Sequence, residues 1–225
     1  WSLHEMIIAI DGPAGSGKTT TAKNVAKNLG YLHINTGAMY RGVTLKFIEN
    51  GISVNHFSEV ELRKILDDTI FEFTGIDTSI LFMNGENVSD KIKTHEVTDM
   101  VSSVSSIGMV RERMVYYQRE MSLNKNVVLE GRDIGSVVFP NADFKFFLVA
   151  DLHVRANRRK KQMELNGESV SLDLIFNSLK ERDEKDSMRS HSPLIKTKDA
   201  IELDTTHLTI EDQINFIIKI VNNNQ

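Results

Sequence analysis

Eight consecutive residues carry the most specific chemistry in the chain: Gly12, Pro13, Ala14, Gly15, Ser16, Gly17, Lys18 and Thr19. They satisfy the pattern G-x-x-x-x-G-K-[ST], with an apolar run before them and a helical pattern after them. Glycines let backbone N–H groups converge on oxyanions without a Cβ in the way, and a helix N-terminus adds its positive dipole end. In such a loop the Lys18 ammonium reaches the β- and γ-phosphates of a nucleoside triphosphate. The Thr19 hydroxyl is then a Mg²⁺ ligand, and Thr20 is expected beside it at the helix start. Asp11, ending the strand, is open to two readings, a Mg²⁺ or water contact and a plain polar strand end. The loop does not say where a phosphoryl group goes.

Three further stretches bear on the acceptor. "INTGAMYRG" follows the second expected strand, so Thr36, Tyr40 and Arg41 fall where an open parallel sheet lines its ligand crevice. "EGRDIGSVVFP" places Arg132 and Asp133 at the end of a third strand. In the helical stretch after residue 172, Arg182, Asp186 and Arg189 stand at i, i+4 and i+7 and share a face, another than that of the apolar stripe Leu172, Ile175, Phe176 and Leu179. Upstream, Arg155, Arg158 and Arg159 share a face, with Lys160 and Lys161 beside them. Like charges so close repel, and a polyanion offsets that repulsion. Two facing anion sites with a movable basic cluster suit phosphoryl transfer between two nucleotides. A nucleotide phosphate has a second pKa of about 6, so as acceptor it needs no general base. The lack of an obvious Asp or His base therefore favours a phosphate acceptor over a hydroxyl.

The elements that must position these residues read as an α/β alternation. Strands are expected at 6–11, 31–34, 127–129, 144–149 and 201–203, with helices at 18–29 and 38–49. Short apolar strands alternating with helices imply a parallel sheet covered on both faces. Val97, Met100, Val101 and Val104 form a buried stripe that leaves Ser102 off it, and Val110, Met114, Tyr117 and Met121 do the same for Arg111. A final helix is marked by a Thr209/Asp212 capping box and the stripe Ile210, Ile214, Ile217, Ile218 and Val221. Residues 70–88 break the rhythm by alternating, with Gly-Ile-Asp and Asn-Gly-Glu as turns, which predicts a small antiparallel insert. Such an insert belongs at a ligand-binding rim or is a decorative hairpin; both readings stay open.

Composition narrows the classes. The 225 residues, 40% hydrophobic and 26% charged, suit one sizeable domain or at most two small ones. The net charge of −4 argues against general nucleic-acid binding. No apolar stretch is long enough for a bilayer and none has the form of a secretory signal, so no membrane partner is expected. Cysteine is absent, which fits a reducing cytoplasm. A GTP-dependent switch is disfavoured, because no Asp has Gly three residues later and Asn124-Lys125 is followed by Asn-Val.

"IAIDGPAGSGKTT", "NTGAMYRG", "EGRDIGSVVFP" and "KERDEKDSMRSHSPL" closely resemble the bacterial cytidylate kinases, of the nucleoside monophosphate kinase group. The resemblance runs over nearly the whole chain from Met6. It implies a P-loop kinase fold with a five-stranded parallel sheet flanked by helices, a small antiparallel β insert on the monophosphate side, and a helical lid. It implies a single domain over 1–225, with the monophosphate region and insert at about 36–108 and the lid at about 152–170. The implied reaction is ATP with CMP or dCMP, giving ADP with CDP or dCDP, with Mg²⁺, in a protein expected to be a monomer. Carried over, Thr36, Tyr40, Arg41, Arg132 and Arg189 surround the acceptor phosphate. Ser102, Arg111 and Asp133 meet the cytosine, and Arg182 and Asp186 hold the sugar. Arg155, Arg158 and Arg159 close over the transferring group. Adenylate or uridylate preference is the nearest rival. Asn35 and Thr36 stand where the family often has Asp and Ser.

Overall fold

The computed structural model describes residues 5–74, 80–165 and 167–223. Five strands form a parallel sheet in the order β2–β6–β1–β7–β8, with β1 at Ile7–Asp11, β2 at Leu32–Asn35, β6 at Val127–Gly131, β7 at Phe144–Val149 and β8 at Ile201–Asp204. Alternation along a strand sends successive side chains to opposite faces. Ile8 and Ile10 of β1 and Val128 of β6 therefore enter one core layer, while Ala9, Val127 and Leu129 enter the other. Both layers must be covered, because each face of the sheet is apolar.

The first layer is closed by α1 (Lys18–Leu29) and α8 (Ile210–Asn223), through Ala22, Val25, Ile217 and Val221. The second is closed by α2 (Thr36–Glu49), α4 (His95–Val104) and α5 (Gly108–Ser122), through Met39, Phe47, Val101 and Met114. Helix α3 (Glu59–Asp67) adds Leu62 and Leu66 to that layer. A third, smaller cluster joins α6 (Leu152–Leu165) and α7 (Leu172–Ser187) to the phosphate loop: Ala14 packs among Ala156, Met163, Ile175 and Leu179.

The expected elements are all present, with shifts at their ends. The second helix starts at Thr36, two residues earlier than the spacing predicts, because the Asn35 side chain caps it by accepting from the Ala38 N–H at 3.0 Å. The capping box of α8 forms: the Thr209 N–H donates to Asp212 Oδ2 at 3.0 Å, and the Asp212 N–H donates to Thr209 Oγ1 at 3.1 Å. One member of its stripe is displaced. Ile210 is exposed, and Gln213 is buried in its stead, accepting from Thr21 Oγ1 at 2.7 Å.

The alternating segment is a three-stranded antiparallel sheet of β3 (Phe71–Thr74), β4 (Ile80–Met83) and β5 (Glu86–Asn87). Asn84 and Gly85 make its second turn; the Gly-Ile-Asp turn lies outside the described residues. The insert is part of the main core. Phe71, Leu81 and Met83 are buried in the same core layer as α2, where they pack around Gly42. We expect Leu81→Ala, at a fully buried position, to lower the unfolding free energy by about 2–5 kcal/mol in a urea titration. A loss below about 1 kcal/mol, the range of ordinary surface substitutions, would show that the insert does not share the core.

Candidate active site

Between β1 and α1 the chain turns so sharply that Gly12 has a φ of 147°, and a Cβ there would lie 2.1 Å from the Leu148 carbonyl oxygen of β7. Only glycine fits so close an approach. The loop is braced from within and from β8's end: Ser16 Oγ donates to Pro13 O at 3.1 Å, and Thr205 Oγ1 donates to Ser16 O at 3.0 Å. Lys18 is buried, and its Nζ donates to Pro13 O at 2.6 Å. Burial first, and the charge of Arg132 next, hold its pKa well below the ordinary lysine value. Gly15, Thr19 and Thr20 are exposed, so the cradle opens to solvent.

Glu130 is the site residue whose side-chain role the sequence patterns missed. The available signal was a carboxylate in the otherwise apolar strand VVLEG, beside Ile10 in the register. Thr19 Oγ1 donates to Glu130 Oε2 at 2.8 Å, and His33 Nε2 lies 3.6 Å from Oε1. Burial raises the Glu130 pKa, but His33, Lys18 and Thr19 outweigh it and hold the carboxyl below its usual value. A hydroxyl and a carboxylate side by side at the phosphate loop are hard oxygen donors of the kind Mg²⁺ takes together with phosphates and water. Among the described residues no cluster of three or more His, Cys, Asp or Glu could hold a metal without such help.

The residues expected on the acceptor side converge across β6. Thr36 Oγ1 donates to the Glu130 carbonyl at 2.7 Å. Arg41 Nη1 donates to Ile92 O at 3.1 Å and Thr98 Oγ1 at 2.9 Å, which ties α2 to α4. Burial, then Arg159 and Arg132, bring Arg41 down to about 10. Asp186 is held between two guanidinium groups: Arg132 Nε donates to Oδ2 at 2.8 Å, and Arg189 Nη2 donates to Oδ1 at 2.7 Å. Those charges keep the Asp186 carboxyl low although burial opposes it. The expected helical face of Arg182, Asp186 and Arg189 exists only in part, because α7 ends at Ser187 and Arg189 returns to Asp186 from beyond the helix. Arg182 is brought to about 10 by burial and by Arg132. Its Nε is enclosed without a hydrogen-bond partner among the described residues.

Beside this group lies a second, buried one. Arg111 pairs with Asp133, donates to Ser105 O at 3.0 Å, and stands 5.1 Å from the centre of the Tyr40 ring. Burial, reinforced by Asp133, raises the Tyr40 phenol's pKa. Arg111 lies off the apolar stripe of α5, as expected, and is buried with Asp133 as its counter-charge. Ser102 is half-buried and lines a cavity of about 440 Å³ between α4 and α7 together with Ser106, Glu181, Met188 and Arg189.

The three arginines of α6 do not present one face to one place. Arg155 is buried and bound to the phosphate loop and to Asp183. Arg158 donates through Nη1 and Nη2 to the hydroxyl and carbonyl of Thr205. Only the charge of Arg159 reaches Arg41 and Arg182. The reason is local: the loop and the end of β8 offer carbonyls to the first turns of α6.

Residues 8–223 match the protein family described as cytidylate kinase. A cytidylate kinase of Fusobacterium nucleatum is 48% identical over 217 residues, covering 96% of this chain and 97% of the relative. One of Clostridioides difficile is 44% identical over 220 residues, covering 98% and 100%. A solved structure from Eubacterium ventriosum, titled an uncharacterized protein, aligns with a TM-score of 0.53 at 16% identity over 98% of this chain and 99% of that one. That likeness speaks for the fold alone.

Asp11 is used structurally. Its carboxylate accepts from the Ile134 N–H at 2.9 Å and the Gly135 N–H at 2.7 Å, pinning the turn that follows β6. Burial raises its pKa to about 6 against those two bonds. A raised carboxyl favours the fold fully below its unfolded value, and that contribution is lost as pH rises through the folded one. Urea midpoints of the wild type should therefore decline from pH 4 to pH 7 relative to Asp11→Asn, by an amount equivalent to about 3 kcal/mol. Parallel pH profiles would show that Asp11 does not titrate there.

Proposed function

The chain belongs to the cytidylate kinase family, and from that premise we propose that it transfers the γ-phosphoryl group of ATP directly to the phosphate of CMP or dCMP, leaving ADP and CDP or dCDP. The observation that carries this reading is the pair of sites on either side of β6's end. One is a phosphate loop with Lys18, and the other is an arginine group centred on Asp186. Loop residues 12–19 enclose the donor's phosphates, which the backbone N–H groups beyond Ala14 hold, with Thr20 at the rim. Lys18 leaves the Pro13 carbonyl for the β- and γ-phosphates, an exchange of one oxygen partner for a charged one. Mg²⁺, held by Thr19 with Glu130 close by, neutralises charge on the donor's phosphates when bound.

On the acceptor side, Thr36, Tyr40, Arg41, Arg132 and Arg189 line the monophosphate site. Arg182 and Asp186 hold the sugar, and Asp186 keeps Arg132 and Arg189 in place until the phosphate arrives. Arg111 and Asp133 set a donor and an acceptor side by side, which matches cytosine's N3 and its exocyclic N4–H₂. Uracil reverses both groups, so its binding leaves buried polar atoms unpaired. Ser102 serves the cytosine's O2. Among the arginines of α6, Arg159 reaches the transferring group, while Arg155 and Arg158 shape the donor side. The acceptor's phosphate is itself the nucleophile, so positioning and cations do the catalysis.

The domain reading is a single unit, with a monophosphate-side region at about 36–108 and a lid at about 152–170. Among the described residues no helix is long and apolar enough to cross a membrane. We read the protein as a cytoplasmic monomer acting on free nucleotides.

A rate panel with ATP as donor and CMP, dCMP, UMP, AMP and GMP as acceptors tests the proposal. CMP and dCMP should exceed the rest, and ATP consumption that is equally fast without an acceptor would overturn it. Lys18→Ala should lower kcat by at least about 100-fold in the CMP assay, since a transition-state cation is lost. Asp133→Ala should mainly lower the CMP-to-UMP ratio of kcat/KM, by about 10-fold or more. An unchanged ratio would remove Asp133 from base reading.

A further inference from the structure

The phosphate loop is gripped from outside by one ion pair. Arg155 on α6 and Asp183 on α7 pair with side-chain exposures of 8% and 21%, so the pair is largely shielded from water. Both members also reach Ala14. Arg155 Nη1 donates to the Ala14 carbonyl at 3.1 Å, and the Ala14 N–H donates to Asp183 Oδ1 at 3.4 Å, the longer and weaker of the two. The two polar backbone groups of a single loop residue are thus held by the two halves of one salt bridge. Arg155 is itself fixed by donating from Nε to Ala150 O at 3.0 Å.

The packing repeats the grip. The Ala14 methyl sits in the apolar cluster of α6 and α7 with Ala156, Ile175 and Leu179. Next to it, Gly15 has a φ of 76°, and a Cβ there would come 3.2 Å from the Arg155 Cβ. Loop and helix pair are in direct contact at the crest that must present its N–H groups to phosphate.

We infer that Asp183 is a positioning residue, which through Arg155 clamps the crest of the phosphate loop at Ala14 and so sets the affinity for ATP. The inference rests on the reading of this loop as the ATP site and gives a role to a residue that the reading leaves without one. The physical reason is preorganisation. A loop whose amides are already aimed loses less freedom when phosphate binds. The charged bond to Arg155 also keeps that guanidinium on the Ala14 carbonyl instead of on the nucleotide. Asp183 lies one residue from Arg182 and three from Asp186 on α7. The same helix therefore holds the donor loop and acceptor-side groups within one of its turns.

The test is ATP binding to the full chain by calorimetry, without acceptor, beside steady-state kinetics. Asp183→Asn keeps the shape and removes the charge that orients Arg155. Its ATP Kd and ATP KM should rise roughly tenfold, as for a lost charged hydrogen bond, with CMP KM within about twofold of wild type. Adding Arg155→Met to Asp183→Asn should cost little more ATP affinity, because the two act as one unit. If Asp183→Asn fails to fold, Arg155→Lys is read the same way, since a single ammonium does not span Ala14 O, Ala150 O and Asp183 together. An ATP Kd within about twofold of wild type, with only a lower urea midpoint, would make the pair a structural tie and overturn the inference. Equal rises in the KM of both substrates would also overturn it. Because calorimetry involves no acceptor, a failure of the cytidine reading appears in the rate panel and a failure of the clamp in ATP binding.

Discussion

Cations gathered faster than counter-charges define this molecule. At the carboxyl edge of the sheet, burial first and then neighbouring cations, Arg132 and Arg159 among them, lower the proton affinity of Lys18, Arg41 and Arg182, with Asp186 bridging the guanidinium groups of Arg132 and Arg189. Arg41 and Arg182 fall to about 10 through burial and these neighbours. Each such charge is disfavoured by on the order of 3 kcal/mol. No local preference would assemble such a group, so the scaffold must hold it against its own repulsion. A polyanion relieves the cost, and a second one facing it relieves more. In the proposed reaction the same repulsion becomes attraction for the oxygens between donor and acceptor.

The scaffold meets this demand chiefly at the end of β6, where consecutive residues serve different pockets. Glu130 turns to Thr19 on the proposed donor side, while its carbonyl takes the Thr36 hydroxyl on the proposed acceptor side. Arg132 meets Asp186, and Asp133 meets Arg111. Side chains leaving an extended segment alternate in direction, so the three side chains of Glu130, Arg132 and Asp133 can reach three places. The turn that makes them diverge is pinned by Asp11 from the neighbouring strand. That explains why a carboxylate is kept buried there with a raised pKa: its two backbone bonds fix the junction of both sites.

Helices α6 and α7 are tied into the framework. Their apolar cluster includes Ala14 of the loop, and Arg155 and Arg158 end on backbone carbonyls of the loop and of the segment after β8. The first turns of α6 are therefore seated, while Arg159, one step further round, bonds to Gln162 of its own helix and acts on Arg41 and Arg182 through its charge. The α2–α4 side is held as firmly, by Arg41 bridging to Ile92 and Thr98 and by the antiparallel insert packed beneath α2.

Much of this architecture is legible in the amino-acid sequence. Periodicity locates the strands of the parallel sheet, because strands buried on both faces must be apolar throughout. The loop at 12–19 is legible because its glycines and its Lys-Thr pair meet a geometric demand that few sequences meet by chance. The capping box of α8 and the antiparallel insert are local patterns of the same kind. Tertiary structure alone decides which charges meet. Nothing near Arg155 in sequence shows that its partner is Asp183, 28 residues on, or that Asp186 is shared by Arg132 and Arg189. Arg111 reads as an off-stripe residue and is buried, and Gln213 is buried where Ile210 is expected. Local patterns encode the conformation of a segment and which of its faces is apolar. The pairing of buried charges depends on distances between segments, and those exist only once the chain has closed around its core.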